Sequence, residues 1–301
     1  MIKNTSIEIL PSRIRKNKTL SAKKIYAVQG EVRILKNVCL TIQDQVTLLV
    51  INGVFKNSIT KRSTLIFDQG SKLSAKRIKL KAANEHFKPV KQAGNGGLWF
   101  LGNFADASKD EIKNSINRKN PLSSFTAQSI TTSYLGRKEK YLSPKTGKTI
   151  GIGDDIDGIS VLGVGPKEWS ITSIKSHHSA DDGIDIKNSH IKLSRLEVIA
   201  PTEDGINLSS SRLEIHKSLR LNVEKTSATD RDLIDMETND GASYLELHSG
   251  CNVNLSGVFG DEVVLSSGEM PKPNLRSNNE SNFHFVGKLK KSALIYSIDQ
   301  N

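Results

Sequence analysis

Apolar and polar positions alternate along most of this chain with a period of two, in short runs divided by turn residues. Val32-Arg33-Ile34, Cys39-Leu40-Thr41-Ile42 and Val46-Thr47-Leu48-Leu49-Val50-Ile51 come first. Thr64-Leu65-Ile66-Phe67, Lys72-Leu73-Ser74-Ala75 and Ile78-Lys79-Leu80 continue the pattern. Between them Asn37, Asp44-Gln45, Asn52-Gly53 and Asp68-Gln69-Gly70 carry turn chemistry. Period-two alternation means strands with one buried face. No amphipathic helical stretch separates the runs, which argues for an all-β chain and against a doubly wound α/β sheet.

The second half repeats itself. Asp157-Gly158-Ile159, Asp182-Gly183-Ile184 and Asp204-Gly205-Ile206 each open an alternating run, at spacings of 25 and 22 residues. Looser copies follow at Asp232-Leu233-Ile234-Asp235 and Asp261-Glu262-Val263-Val264. A period of this length without helical patterning is the mark of stacked coils, since a single repeat cannot bury its own apolar face. Each coil reads as three strands with turns at Asn188-Ser189 or Ser209-Ser210. The later strands are His190–Leu193 and Leu196–Ile199 in one coil, and Arg212–Ile215 and Leu219–Val223 in the next. Three strands per coil predict a right-handed parallel β-helix filled by Ile, Leu and Val.

The expected layout is one domain over residues 1–301. Residues 1–24 are a basic lead-in or cap and 25–102 the first coils. Residues 103–150 are a long excursion with a short helix near 108–117, 151–267 the regular coils, and 268–301 a C-terminal cap. Gly94, Gly96 and Gly97 precede Trp99-Phe100 and imply close backbone approach before a buried aromatic strand.

Composition narrows the function classes. The 301 residues are 36% apolar and 5% aromatic, low for a globule but suited to a narrow coil. Cys39 and Cys251 are too few for a disulfide framework. Met1–Leu20 lacks the apolar stretch of a signal peptide, and no run approaches the ~18 apolar residues that cross a bilayer. The expectation is a cytoplasmic protein, or one exported by a signal-peptide-independent route. Residues 1–150 hold 28 Lys and Arg against 9 Asp and Glu, a net of +19; residues 151–301 hold 15 against 23, a net of −8. The basic half suits a polyanion such as nucleic acid, anionic lipid or acidic polysaccharide, although no specific nucleic-acid motif accompanies it.

Over residues 177–221 the chain resembles the pectin-lyase-like superfamily of right-handed β-helices, and locally its polygalacturonase-type glycoside hydrolases. Ala180-Asp181-Asp182-Gly183-Ile184 stands in the place of that family's Asn-Thr-Asp-Gly, and Glu203-Asp204-Gly205-Ile206 in the place of its Asp-Asp pair one coil on. The resemblance implies that Asp182, Glu203 and Asp204 are the catalytic acids that protonate a leaving oxygen and activate water. The family's Gly-His-Gly and Arg-Ile-Lys elements have no counterpart here.

The residues themselves point the same way. Carboxylates stacked ~5 Å apart cannot all stay ionised, so at least one pKa rises and an acid stands beside a base. Asp157, Asp185, Asp235, His177, His178 and Arg231 are the candidate binding residues around that triad. Asp181, Asp182 and Asp185 are candidate ligands for a hard cation such as calcium. Asp before Gly is also a favoured turn residue, so the same carboxylates could instead shape the coil corner. Two functions follow. One is a carbohydrate-active or carbohydrate-binding β-helix, an enzyme in its hydrolase or lyase form, with a polysaccharide along the acidic face. The other is a non-enzymatic scaffold, effector or phage-derived segment that binds an anionic partner through its basic half.

Overall fold

The computed structural model describes residues 6–55, 58, 62–103, 122–137, 140–142, 149–152, 156–223, 232–237, 243–248, 250–258, 265–266 and 282–287. They form a right-handed parallel β-helix whose three coil sheets are all parallel, with no helix among them. Sheet 1 has eleven strands, running from Ile7–Ile9 through Val46–Ile51, Arg77–Ala83 and Ser173–His177 to Asn282–Gly287. Sheet 2 has nine, from Arg13–Ile14 through Leu98–Leu101, Ile159–Leu162, Ile184–Lys187 and Ile206–Ser209 to Leu265–Ser266. Sheet 3 has five, from Lys18–Leu20 to Trp169–Ile171.

Register turns the sequence period into columns. In sheet 2, Ile14, Ile34, Phe67, Phe100, Val161, Ile186, Leu208 and Met236 lie one above another, all buried. Phe67, Phe100, Phe125 and Trp169 pack ring against ring where this column meets sheet 3. The isoleucines of the repeated tripeptide, Ile159, Ile184 and Ile206, head their strands and are fully buried. Apolar residues in column are what a coil needs, since each coil covers the open face of its neighbour.

Crowding requires the glycines after Asp182 and Asp204, while the one after Asp157 meets nothing closer than 3.1 Å. A Cβ on Gly183 would sit 2.2 Å from Val198 Cγ1 and 2.5 Å from the Gly205 carbonyl oxygen of the next coil. The predicted turns at Asn188 and Ser210 are real corners, each in the left-handed region at φ 48°.

Two expectations change. The turn expected between the second and third strands of a coil is a bulge. His190–Ile199 and Arg212–Asn222 are each one long strand, with a register shift between Leu193 and Arg195. A bulge bends a strand without ending its pairing. The excursion at 103–150 is also narrower, because Ser124–Ala127 and Ser129–Ser133 are coil strands in sheets 3 and 1. Among the described residues, what leaves the coil is an antiparallel pair, Lys140–Leu142 with Thr149–Ile152, that lies between Arg137 and Ile156. The expected helix at 108–117 lies outside the described residues. At the C-terminal end, Asn282–Gly287 extends sheet 1 by one parallel strand, and the rest of the expected cap lies outside the described residues.

Cys39 and Cys251 are free thiols. No helix among the described residues is long and apolar enough to cross a membrane.

Candidate functional site

Ile156, which bridges to Arg137, stands one residue before Asp157, at the corner where sheet 2 begins. Asp157, Asp182, Asp204 and Asp232 take that corner in four successive coils, each two residues before the first buried residue of its sheet 2 strand. Three of these carboxylates divide between two tasks. Asp182 Oδ1 accepts the backbone N–H of Asp204 at 3.0 Å, and Asp204 Oδ1 accepts that of Asp232 at 2.6 Å. Asn207 supplies a further side-chain hydrogen bond to Asp182. These two aspartates therefore bond each coil to the next. Asp157 accepts the Ser160 hydroxyl at 3.1 Å and turns towards Asp181.

Where that ladder stops, the carboxyls crowd. Asp157, Asp181 and Asp182 each bring an oxygen within 4.8 Å of the others. Asp181 also bonds to Glu203, which occupies the same position one coil on. Asp181 and Asp182 are both 5% exposed, and Asp181 Oδ1 is buried with no hydrogen-bond partner.

Burial is the main reason that these acids hold their protons. Asp157 and Asp182 are raised well above the ordinary range by burial first and by Asp185 next. Asp181 is pushed up to about 12 by burial, the Glu203 bond and repulsion from Asp182 and Asp157. Asp204 rises to about 9 through burial and Asp182. A carboxyl that stays protonated among carboxylates donates its O–H to one of them, which lets the cluster exist without a counter-ion. A hard dication would fit the oxygens of Asp157, Asp181 and Asp182 as well, in exchange for those protons.

Asp185 links the corner to the outer face of sheet 2. It is half-buried and aligned with Ser160 below and Asn207 above; Asn207 is aligned with Asp235. Trp99 precedes Ser160 in the same column. Burial pushes Asp185 up to about 7, with Lys187 pulling it down and Glu237 pushing it up. The neighbouring outward column runs Leu162, Lys187, Ser209, Glu237.

The structure therefore brings Asp157, Asp181, Asp182, Asp185, Glu203 and Asp204 to one corner. Of the cation ligands expected from the sequence, Asp181 and Asp182 each bring an oxygen within 4.8 Å of the other, and Asp157 joins them. Asp235 lies on the sheet 2 face. The histidines have other partners. His177 Nε2 is 2.9 Å from Glu197 Oε1, and the His178 ring stacks on Tyr134 at 4.7 Å. Arg231 lies outside the described residues. Asn207 and Ser160 escaped the sequence reading, yet their position was available: each stands where the repeat places Asp185 in its own coil.

Comparison of the chain with protein-family models, with curated proteins and with solved structures gives no match.

Proposed function

We propose that this protein binds an extended carbohydrate along the outer face of sheet 2, with Asp185 as the central contact. The observation that carries this reading is the column Trp99, Ser160, Asp185, Asn207, Asp235, one residue per coil. Its members are an aromatic ring and, beyond Ser160, which is buried and bonded to Asp157, the polar groups of Asp185, Asn207 and Asp235 at the ~4.8 Å strand repeat. That suits a polymer of hydroxyl-bearing rings lying parallel to the helix axis. Asp182 and Asp204 are spent on backbone bonds between coils, so the hydrolase triad suggested by the resemblance is not free to act as a unit. Binding is therefore favoured over cleavage.

A glycan array followed by calorimetry on the best ligand tests this. Asp185→Ala and Asn207→Ala should each weaken binding, and Lys79→Glu on sheet 1 should leave it unchanged. Ligands that bind the Asp185 and Asn207 variants as tightly as the native chain overturn the proposal. Release of reducing ends by the native chain, lost in Asp185→Asn, would make it an enzyme instead.

A second reading draws on the charge division of the chain. Arg77, Lys79 and Lys81 point outward together from one strand of sheet 1, in the basic half. In that reading the ligand is a polyanion held by sheet 1, and the sheet 2 variants leave its binding intact.

A further inference from the structure

Beyond the acidic corner, the outer face of sheet 1 carries a second cluster built from a repeated dipeptide pattern. Glu214-Ile215-His216 and Glu246-Leu247-His248 are Glu-x-His segments 32 residues apart. In a strand, residues two apart share a face. Register then sets Glu214 beside Glu246 and Ile215 beside Leu247, so His216 and His248 are neighbours on successive coils. Their rings stack with centroids 3.7 Å apart.

Both imidazoles present the same atom to the same carboxylate. His248 Nε2 lies 3.2 Å from Glu214 Oε2, and His216 Nε2 lies 3.9 Å from it. One oxygen of Glu214 and one nitrogen from each histidine all lie within 4.8 Å of one another. Glu246 Oε1 is 3.6 Å from His248 Nε2, so a second carboxylate borders the group. The Glu214 side chain is 4% exposed and the histidine side chains 39% and 33%. The carboxylate is thus a fixed base, and the imidazoles form a rim open to solvent.

We propose that Glu214, His216 and His248 form a binding site for a first-row transition-metal dication of the Zn2+ class. Two imidazole nitrogens and one carboxylate oxygen are a donor set for zinc, cobalt, nickel or copper rather than for calcium or magnesium. Each imidazole can carry its proton on Nδ1 and offer the Nε2 lone pair to the metal. The cations nearby do not block the site. Lys192 Nζ is 3.0 Å from Glu214 Oε2, but its side chain is 52% exposed and free to swing away. Arg212 is bonded to Glu246, and its Nε lies 3.6 Å from Glu214 Oε1, not from the Oε2 that the two imidazoles approach. His190 Nε2 holds Glu214 Oε1 at 2.6 Å, which fixes the carboxylate from its other side. Three protein ligands at a half-open face leave a coordination position for water or for a partner's donor atom.

The test uses the full chain, titrated with Zn2+ alone by calorimetry and with Co2+ alone by visible absorption. One Zn2+ equivalent is expected, together with cobalt ligand-field bands. His216→Ala and His248→Ala should each weaken this equivalent by ~tenfold or more, while Asp182→Asn at the acidic corner leaves it in place. Because the histidines are partly exposed, circular dichroism should show an unchanged fold in these variants. On the native chain, Zn2+ should shift the imidazole resonances of His216 and His248 and leave those of His86 and His177 unmoved. Undiminished binding in the double variant, or a native chain whose His216 and His248 signals ignore Zn2+, would overturn the proposal.

Discussion

Asp182 Oδ1 accepts the backbone N–H of Asp204, the residue that occupies its own position one coil later. A repeated side chain here bonds to the backbone of its counterpart in the next repeat. Asp204 does the same for Asp232. The pattern that reads as a catalytic stack in sequence is, in two of its members, a set of bonds between coils.

Those bonds make a stability prediction. Asp182→Ala leaves the buried N–H of Asp204 without an acceptor, which costs ~1–3 kcal/mol. Asp182→Asn keeps an oxygen in place and should cost less. Urea unfolding midpoints measure both. Equal losses for Ala and Asn would mean that the bond does not contribute.

Legibility in the sequence followed from which forces act within one repeat. The buried isoleucines, the turns at Asn188 and Ser210, and the parallel stacking follow from alternation and period. The roles of the carboxylates do not. An Asp before Gly suits a capped corner and a catalytic acid equally, and only the direction of Oδ1 separates them. The bulge near Ser194 looked like a turn, because a polar residue between two apolar runs is common to both. Glu214, His216 and His248 went unseen because their proximity comes from register between coils. The repeated Glu-x-His was nevertheless present as a signal.

Gly183 gives a sharper packing test. Adding one methyl brings a carbon to 2.2 Å from Val198 Cγ1 and 2.5 Å from the Gly205 carbonyl, both in tightly held neighbours. Gly183→Ala should destabilise by ~1–3 kcal/mol, the usual range for overpacking. Gly250→Ala, which meets nothing within 4 Å but sits at φ 75°, separates backbone strain from collision. A Gly183→Ala chain with native urea resistance would contradict the packing described.

Charge offers a third test. If Arg77, Lys79 and Lys81 hold a polyanion, heparin binding should weaken steeply as salt is raised. The log–log slope on duplex DNA would be ~0.9 for each phosphate neutralised. Lys79→Glu with Lys81→Glu should lower the salt at which the chain leaves a heparin column. A double variant that elutes with the native chain would exclude this strand as the contact.

The acidic corner fixes how stability varies with pH. Burial, above all, raises Asp181 to about 12, Asp204 to about 9 and Asp185 to about 7. In the unfolded chain an aspartate titrates near ~3.9. Between the two values the folded protein keeps protons that the unfolded chain has released. Raising the pH therefore favours unfolding: the contribution is complete below the unfolded value and is lost as pH passes through the folded ones. Asp44 and Glu214 work in the opposite sense. Arg77 holds Asp44 at about 2, and hydrogen bonds from His190, Lys192 and His248 outweigh burial to hold Glu214 at about 2. Their stabilisation is lost as pH falls towards 2, but it is complete once the unfolded carboxylates have ionised, so it adds no slope above ~pH 5. The urea midpoint should accordingly peak near ~pH 5 and decline towards ~pH 9. Asp185→Asn and Asp204→Asn should flatten the decline, since an amide has no proton to lose. Asp185→Asn should flatten the decline only below ~pH 7, and Asp204→Asn should flatten it across the whole interval up to ~pH 9. A native midpoint that stays level or climbs across that interval would mean that the corner carboxyls are ionised in the folded protein.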